Sequence, residues 1–377
     1  MKKSAFIFIL AIALIVSLFA GNIFGETIYK TYNKSGNVLH DLKKIKKSRK
    51  KSSKKKKEFK YSLNARLSFT YDDNVINYSD SDLDLLDSDG KPSKFAIESK
   101  DDYIIAPRFD FGISTRRFTG RNTSLDFLIR MKTYNKNNLK NYEYYRMRLT
   151  QQLIRPLDVY LQIGYIPDYY YRNQYDHNAQ AYYEANFSKT FFYTGFGFKI
   201  TSELKAAVDL KFDSRDFNDR FNHLDSKRTV IEMRGIDRFS YLLKSWFVFR
   251  FGYNRAEGKN DADINKKDTS YDLKGFTFGS RVYFSKLTGL PLQTAVTFSY
   301  NILYYQTSPP KKDSYRLGRK DNNYEFTIAP RWMFEMLHVE LEYSYQSKSV
   351  YLPESDLIKQ LEYSSNEISL NFRYIIF

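Results

Sequence analysis

From Phe59 onward the chain alternates apolar and polar residues with a period of two. Phe59, Tyr61, Leu63, Ala65, Leu67, Phe69 and Tyr71 are apolar, while Lys60, Ser62, Asn64, Arg66, Ser68, Thr70 and Asp72 between them are polar. A helix would scatter these two sets around its circumference; a strand puts them on opposite faces. The alternation returns at Ile105–Ile113, Leu125–Met131, Tyr145–Leu149, Val159–Tyr165, Leu204–Phe212, Phe247–Tyr253, Leu292–Ile302, Tyr324–Trp332, Leu337–Tyr343 and Ile368–Tyr374. The pattern predicts strands at about 59–72, 102–117, 123–133, 142–152, 157–168, 179–200, 204–213, 228–240, 245–255, 270–285, 292–305, 322–334, 337–347 and 363–377. The phase slips near Tyr193–Phe196, Met233–Ile236 and Leu273–Phe276, each containing a glycine, and either bulges or strand ends set elsewhere would account for the slips.

The connections alternate in length. Long ones fall at 73–101, 134–141, 169–178, 214–227, 256–269, 306–321 and 348–362, and short ones include 119–121, 201–203 and Glu335-Met336. Long loops at one end and tight turns at the other, with an even strand number, are the pattern of a transmembrane barrel. The fold class expected is therefore all-β, a transmembrane antiparallel β-barrel of about 14 strands over 59–377. A barrel of that size has room for a wet interior, so the apolar face can point to lipid and the charged face inward.

The segment before residue 59 is different. Lys2 and Lys3 precede an uncharged apolar run from Ser4 to Ala20, which reads as a signal peptide over 1–25. Residues 26–58 form a lysine-rich leader, expected to be disordered and periplasmic. Of the net charge of +17, most sits in residues 41–60, which carry twelve basic and two acidic side chains. No aromatic occurs between Asp41 and Glu58, so base stacking and a nucleic-acid partner are disfavoured. The sharper reading of Lys43–Lys60 is a polycation for an anionic lipid or cell-wall polymer; the plainer one is a solvated tail.

The chain has no cysteine among 377 residues but 33 Tyr and 31 Phe. That excludes disulfide scaffolds, thiol nucleophiles and Cys-ligated metals, and the aromatic load argues against disorder in the body. Together, these features resemble bacterial outer-membrane β-barrel proteins: an export signal, a soluble leader, amphipathic strands and a final aromatic. Phe377 matches the terminal residue that the barrel-assembly machinery of that class recognises, and Ile375 matches its next apolar position. Arg373, Asn371 and Ser369 break the match further back. The resemblance implies a location in the bacterial outer membrane among its lipids; it is generic and selects no family.

Function would then be written on the polar face. Arg108, Arg130, Arg146, Arg148 and Arg250, with Asp126, Glu184, Glu325, His338 and Glu340, are the candidates for a lumenal constriction, anion-attracting around Arg130, Arg146 and Arg148. The expected function is a channel or export conduit for small polar solutes. A closed-lumen surface or adhesion protein is the alternative, and a lipid-processing enzyme stands third. Outer-membrane phospholipases pair a His with a Ser two residues on, whereas His40, His177, His223 and His338 are followed at that interval by Leu42, Ala179, Asp225 and Glu340. No enzyme activity, metal or cofactor is therefore expected. Asp80, Asp82, Asp84, Asp87 and Asp89 crowd the loop 73–101, but the glycine and glutamate of a calcium loop are missing, so this loop reads as a hydrated surface segment.

Overall fold

The computed structural model describes residues 59–88, 93–116, 120–176, 178–256, 268–284, 289–305, 318–352 and 361–377. The expected signal peptide and lysine-rich leader, residues 1–58, lie outside the described residues. Fourteen antiparallel strands close on themselves: β1 (Lys60–Asp72), β2 (Asp102–Thr115), β3 (Thr123–Tyr134), β4 (Tyr142–Ile154), β5 (Leu157–Asp176), β6 (Ala181–Lys199), β7 (Lys205–Phe217), β8 (Ser226–Asp237), β9 (Leu243–Ala256), β10 (Tyr271–Tyr283), β11 (Leu292–Tyr305), β12 (Lys320–Met333), β13 (Leu337–Tyr351) and β14 (Tyr363–Ile375). Each pairs with its sequence neighbours, and β1 joins β14 from Asn64↔Ile375 to Asp72↔Glu367. Beyond that ladder Leu63 N donates to Phe377 O at 2.9 Å, so the last residue completes the seam.

The period-two pattern decides the faces. Phe247, Phe249, Phe251, Phe278, Leu341 and Ile368 stand exposed on one side, Phe278 at 53%. Opposite-parity neighbours such as Val248, Thr277, Ser299, Asp209 and Ser369 are buried. The expected bulges at three glycines are absent. Register runs unbroken through Gly195, Gly235 and Gly275. The glycines instead make holes for large neighbours: a Cβ on Gly235 would lie 2.2 Å from Phe247 Cζ, and one on Gly164 1.8 Å from Phe191 Cζ. The apparent phase slips arise because aromatic and aliphatic residues also occupy the inner face there, as Phe191, Tyr193 and Ile236 do.

Register does shift elsewhere, between Ile166 and Tyr169 and between Tyr170 and Arg172. These irregularities carry β5 on to Asp176, so most of the expected loop 169–178 is strand. The hairpin β5–β6 thus rises past the long-loop end and bends inward. Arg172 stands 5.7 Å over the Tyr78 ring, and Asn173 Nδ2 donates to Ser93 O at 3.0 Å. Arg172 also acts electrostatically on Lys348 and Tyr363 of β13 and β14. Strands β1 to β4 separate β5 from β14 along the wall, so that reach crosses the lumen.

The loop 73–101 meets this hairpin and is not the hydrated segment its aspartates suggest. Ser79 caps α1 (Asp80–Leu86) by accepting from Asp82 N at 3.2 Å. Val75, Ile76, Tyr78, Leu86, Phe95 and Ile97 pack with Ile104, Tyr134 and Tyr170 of the wall into one buried cluster. Asp82 pairs with Lys94 and Asp87 with Lys100, while Asp89 lies outside the described residues. Asn74 stitches the loop to the seam, donating to Tyr78 O at 2.8 Å and Ser364 O at 2.9 Å. Asp102 accepts from the backbone of Asn135, Lys136 and Asn137. Loop and hairpin together form a cap over the mouth.

Lys140, in the 3-10 turn Asn138–Lys140, is 5% exposed beside this cap, with its Nζ 5.4 Å from the Tyr169 ring. Burial pulls its ammonium down to about 8, only partly offset by Asp72. Between that value and the free-lysine value the unfolded cap holds more protons than the folded one, so cap stability rises with pH across this window. Amide exchange of residues 75–97, corrected for intrinsic rate, should therefore be more protected at about pH 9.5 than at about pH 7.5. Lys140→Met should abolish that difference.

Candidate functional site

The inner wall carries two kinds of charge. On the inner face of β7–β9 every carboxylate (Asp209, Asp213 and Glu232) is held. Asp209, fully buried, accepts from Tyr160 Oη at 2.7 Å and pairs with Arg234. Asp213 accepts from Tyr193 Oη at 2.8 Å and Arg228 Nε at 2.8 Å, with Lys189 at 3.4 Å. Glu232 bridges Lys211 at 2.7 Å and Arg250 Nε at 3.0 Å, and Arg250 Nη1 donates onward to Thr277 at 2.7 Å. Buried charges stay put only when paired and hydrogen-bonded, and this sector meets that condition. Arg250 is thereby a wall residue and no part of the expected arginine constriction.

Across β14, β1, β2 and β3 the register does something else. Arg373 faces Arg66, Arg66 faces Arg108, and Arg108 faces Arg130, in one row perpendicular to the strands. His338 precedes the row on β13, opposite Arg373, and its Nδ1 is buried without a hydrogen bond. Only Arg108 has a carboxylate fork, with Nε and Nη2 donating to Asp110 at 2.8 and 2.7 Å. Arg373 donates to Asn64 at 3.1 Å. Among the described residues no carboxylate lies within 4 Å of Arg66 or Arg130.

Below the row, toward the short turns, Arg146 and Arg148 project from β4 into a recess. Arg146 lies 3.9 Å from Asp110 and its Nε is buried without a partner. Arg148 stacks 3.8 Å over the Tyr160 ring. One cavity of ≈ 320 Å³, lined by Asn64, Asp110, Asp126, Arg146 and Arg148 among others, continues into a second of ≈ 240 Å³ that shares Arg148 and Thr150. Asp126 sits opposite Arg148 and Gly112, with only Ser124 at 3.5 Å donating to it. On the mouth side of the arginines stand Glu325, Glu342 and Glu367, with no cation within 4 Å among the described residues. Glu340, by contrast, accepts from Arg331 Nε at 2.7 Å.

A polar, partly open interior inside an apolar outer face admits one solvent arrangement: lipid outside, water within. The chain is a transmembrane β-barrel. In an outer membrane its long-loop end would face outward and its short turns the periplasm. No family model matches the sequence, and no curated protein does. Solved structures of similar shape include a bacterial polysaccharide outer membrane secretin at TM-score 0.47 and 9% identity, covering 84% of this chain and 98% of that one. The anion-selective porin from Comamonas acidovorans aligns at TM-score 0.42 and 8% identity, covering 85% and 100%. The outer membrane channel DcaP of Acinetobacter baumannii aligns at TM-score 0.42 and 12% identity, covering 86% and 99%.

Of the sequence candidates, Arg108, Arg130, Arg146, Arg148 and Asp126 come together on β2–β4. Glu325, His338 and Glu340 line the neighbouring β12–β13 wall. Glu184 does not face the lumen: it lies near the hairpin tip, exposed, beside a separate surface recess with Asn173, Tyr183, Asn218 and Arg220. It shares the parity of Phe192 and Phe196, which point outward, and this parity is masked in the sequence by the run of aromatics around it. Sequence reasoning missed Arg234, which falls in an apparent phase slip, and the link Arg148–Tyr160–Asp209–Arg234. Gly195 was the available signal. With no side chain on β6 there, Tyr160 of β5 reaches Asp209 of β7 directly.

That link supplies a test. A Cβ on Gly195 would lie 2.5 Å from Asp209 Oδ1 and 2.9 Å from Tyr160 Cε1, whereas the nearest atoms to one on Gly197 are 3.8 Å away. Gly195→Val should lower the urea midpoint of the refolded barrel by an equivalent of about 1–3 kcal/mol. Gly197→Ala should leave it within about 0.5 kcal/mol.

Proposed function

We propose that this barrel is a channel for small polar solutes, with the arginine row as its selective element. The carrying observation is the row itself. Like charges directly opposite one another in a sheet are destabilising, and the β7–β9 wall of the same protein holds each of its carboxylates with cations. Four arginines aligned across β14–β3, three of them with no carboxylate within 4 Å among the described residues, go against this pattern. Such unpaired guanidinium donors suit an anionic or zwitterionic solute, because the planar fork of arginine matches carboxylate and phosphate groups. The carboxylates Glu325, Glu342 and Glu367 nearer the mouth provide the opposite sign, so a zwitterion would meet both. Whether flow is inward or outward is set by the gradient, so uptake and export share this reading.

The cap supports a second reading. A buried cluster of loop and hairpin residues over the mouth also suits a closed-lumen surface protein, with the arginines as remnants of a sealed interior. In either case we propose that the assembly machinery engages Phe377, whose carbonyl accepts from Leu63 N in the seam, before closure. No step of this reading uses covalent chemistry.

Planar-bilayer recordings separate the two. For the channel, the refolded barrel gives steady openings that favour anions. Arg66→Gln with Arg130→Gln then reduces the anion-to-cation permeability ratio, read from the reversal potential, by roughly tenfold, equivalent to about 1.4 kcal/mol. Deletion of residues 76–97 should raise conductance. Silence from the intact barrel with openings only after that deletion would favour the closed surface protein.

A further inference from the structure

The outer face carries its own charge pattern at the extracellular rim, which the channel reading leaves unused. Lys227 on β8, Arg255 on β9, Lys274 on β10 and Lys320 on β12 share strand parity with Ile231, Phe251, Phe276 and Tyr324, residues of the exposed apolar belt. They therefore point outward, at the loop ends of their strands. Lys227 lies directly opposite Arg255 in register, again like against like. Lys274 and Lys320 flank Tyr304, with their Nζ atoms 5.5 and 5.7 Å from its ring. Arg255 stacks 4.7 Å over Tyr253 and bonds Asp272 at 3.0 Å. Among the described residues, Lys227, Lys274 and Lys320 have no carboxylate within 4 Å.

Three other strands of the rim carry the opposite sign. The outward positions at the extracellular ends of β4, β6 and β7 are Glu143, Glu184 and Asp216. The outward cations without a carboxylate, Lys227, Lys274 and Lys320, thus share one sector of the circumference, directly above its aromatic belt. At that height the barrel's neighbour is the headgroup layer of the outer leaflet. Lysines on apolar stems place their ammonium groups at such a boundary, and clustered cations there attract anionic headgroups.

We propose that the β8–β12 rim is a docking surface for the phosphate groups of an outer-leaflet glycolipid. Lys227, Lys274 and Lys320 supply free ammonium groups, while Tyr253, Tyr304 and Tyr324 lie against the sugar and the upper acyl chains. The lipid's phosphates relieve the opposition of Lys227 and Arg255, of which Arg255 pairs with Asp272 and Lys227 has no carboxylate within 4 Å among the described residues. This holds whether or not the lumen conducts.

The test uses the full barrel in detergent with bis-phosphorylated lipid A, bound complexes being counted by native mass spectrometry. Wild type should retain this lipid more tightly than dephosphorylated lipid A. Replacing all three lysines by glutamine should weaken it by roughly tenfold to a hundredfold, while arginine at all three should preserve it. Glu143→Gln with Asp216→Asn should not weaken it. Unchanged heat-shifted gel mobility would establish that each variant is a closed barrel. Equal retention of the dephosphorylated lipid, no loss in the glutamine variant, or equal loss in the acidic-sector variant would overturn the proposal. Displacement by millimolar inorganic phosphate would also do so, since the rim would then read free phosphate and not a lipid.

Discussion

Closure of the backbone ladder is the constraint on which the rest depends. Lipid offers nothing to an unpaired N–H or C=O, so a sheet in it must have no edge. The pairing of β1 with β14, extended by Leu63 and Phe377, provides this. Once the ladder is closed and in register, a side chain's parity decides its solvent. A one-residue slip in any strand would send its charged face to lipid. This explains why the register stays regular through the glycines at Gly195, Gly235 and Gly275, and why the irregularities fall at strand ends, at Gln152–Ile154 beside the β4–β5 turn and at Ile166–Arg172 where β5 leaves the wall. There the hairpin has protein and water as neighbours, and a shift in parity carries no such penalty.

A fixed wall must still accommodate side chains of very different size on its concave side. Glycines absorb that mismatch here. Gly164 receives the ring of Phe191, and Gly195 lets Tyr160 cross a strand to Asp209. The β7–β9 sector becomes a saturated network in this way, with each carboxylate matched to a cation and often a phenol. The β14–β3 sector has no comparable matching. The two differ in physical role: one holds the wall together, while the other presents charge to whatever occupies the lumen.

Most of the architecture was legible in the sequence because period two and loop-length alternation are local signals. Strand existence and order follow from residues such as Phe59–Tyr71 and Phe247–Tyr253 without knowledge of any partner. The aligned arginines were visible only as separate inward residues, since their row depends on register between strands. Arg66, Arg108 and Arg130 lie far apart in sequence and meet through two pairings. The cap was misread for a different reason. Aspartates dominate 80–89, yet the fold of that loop is set by the interspersed Ile76, Tyr78, Phe95 and Ile97, whose cluster needs Ile104, Tyr134 and Tyr170 from three strands. A loop with its own apolar residues and a wall to receive them does not stay in water.

Cap and arginine row also constrain each other. The cap sets a buried apolar cluster beside the mouth, and low-dielectric matter there strengthens the field of unpaired charge near it. Unpaired arginines in such a space repel one another more strongly than they would in an open, salt-filled pore. On the proposed reading the arrangement is most comfortable when mobile anions or a zwitterionic solute occupy the row. The carboxylates Glu325, Glu342 and Glu367 stand too near the mouth to neutralise it by contact, as Asp110 does for Arg108. A lumen built solely to be filled would resolve this tension with carboxylates in the row, as β7–β9 does for its own charges. Leaving it open makes the interior responsive to what enters, and this is the physical reason to read the barrel as a conduit.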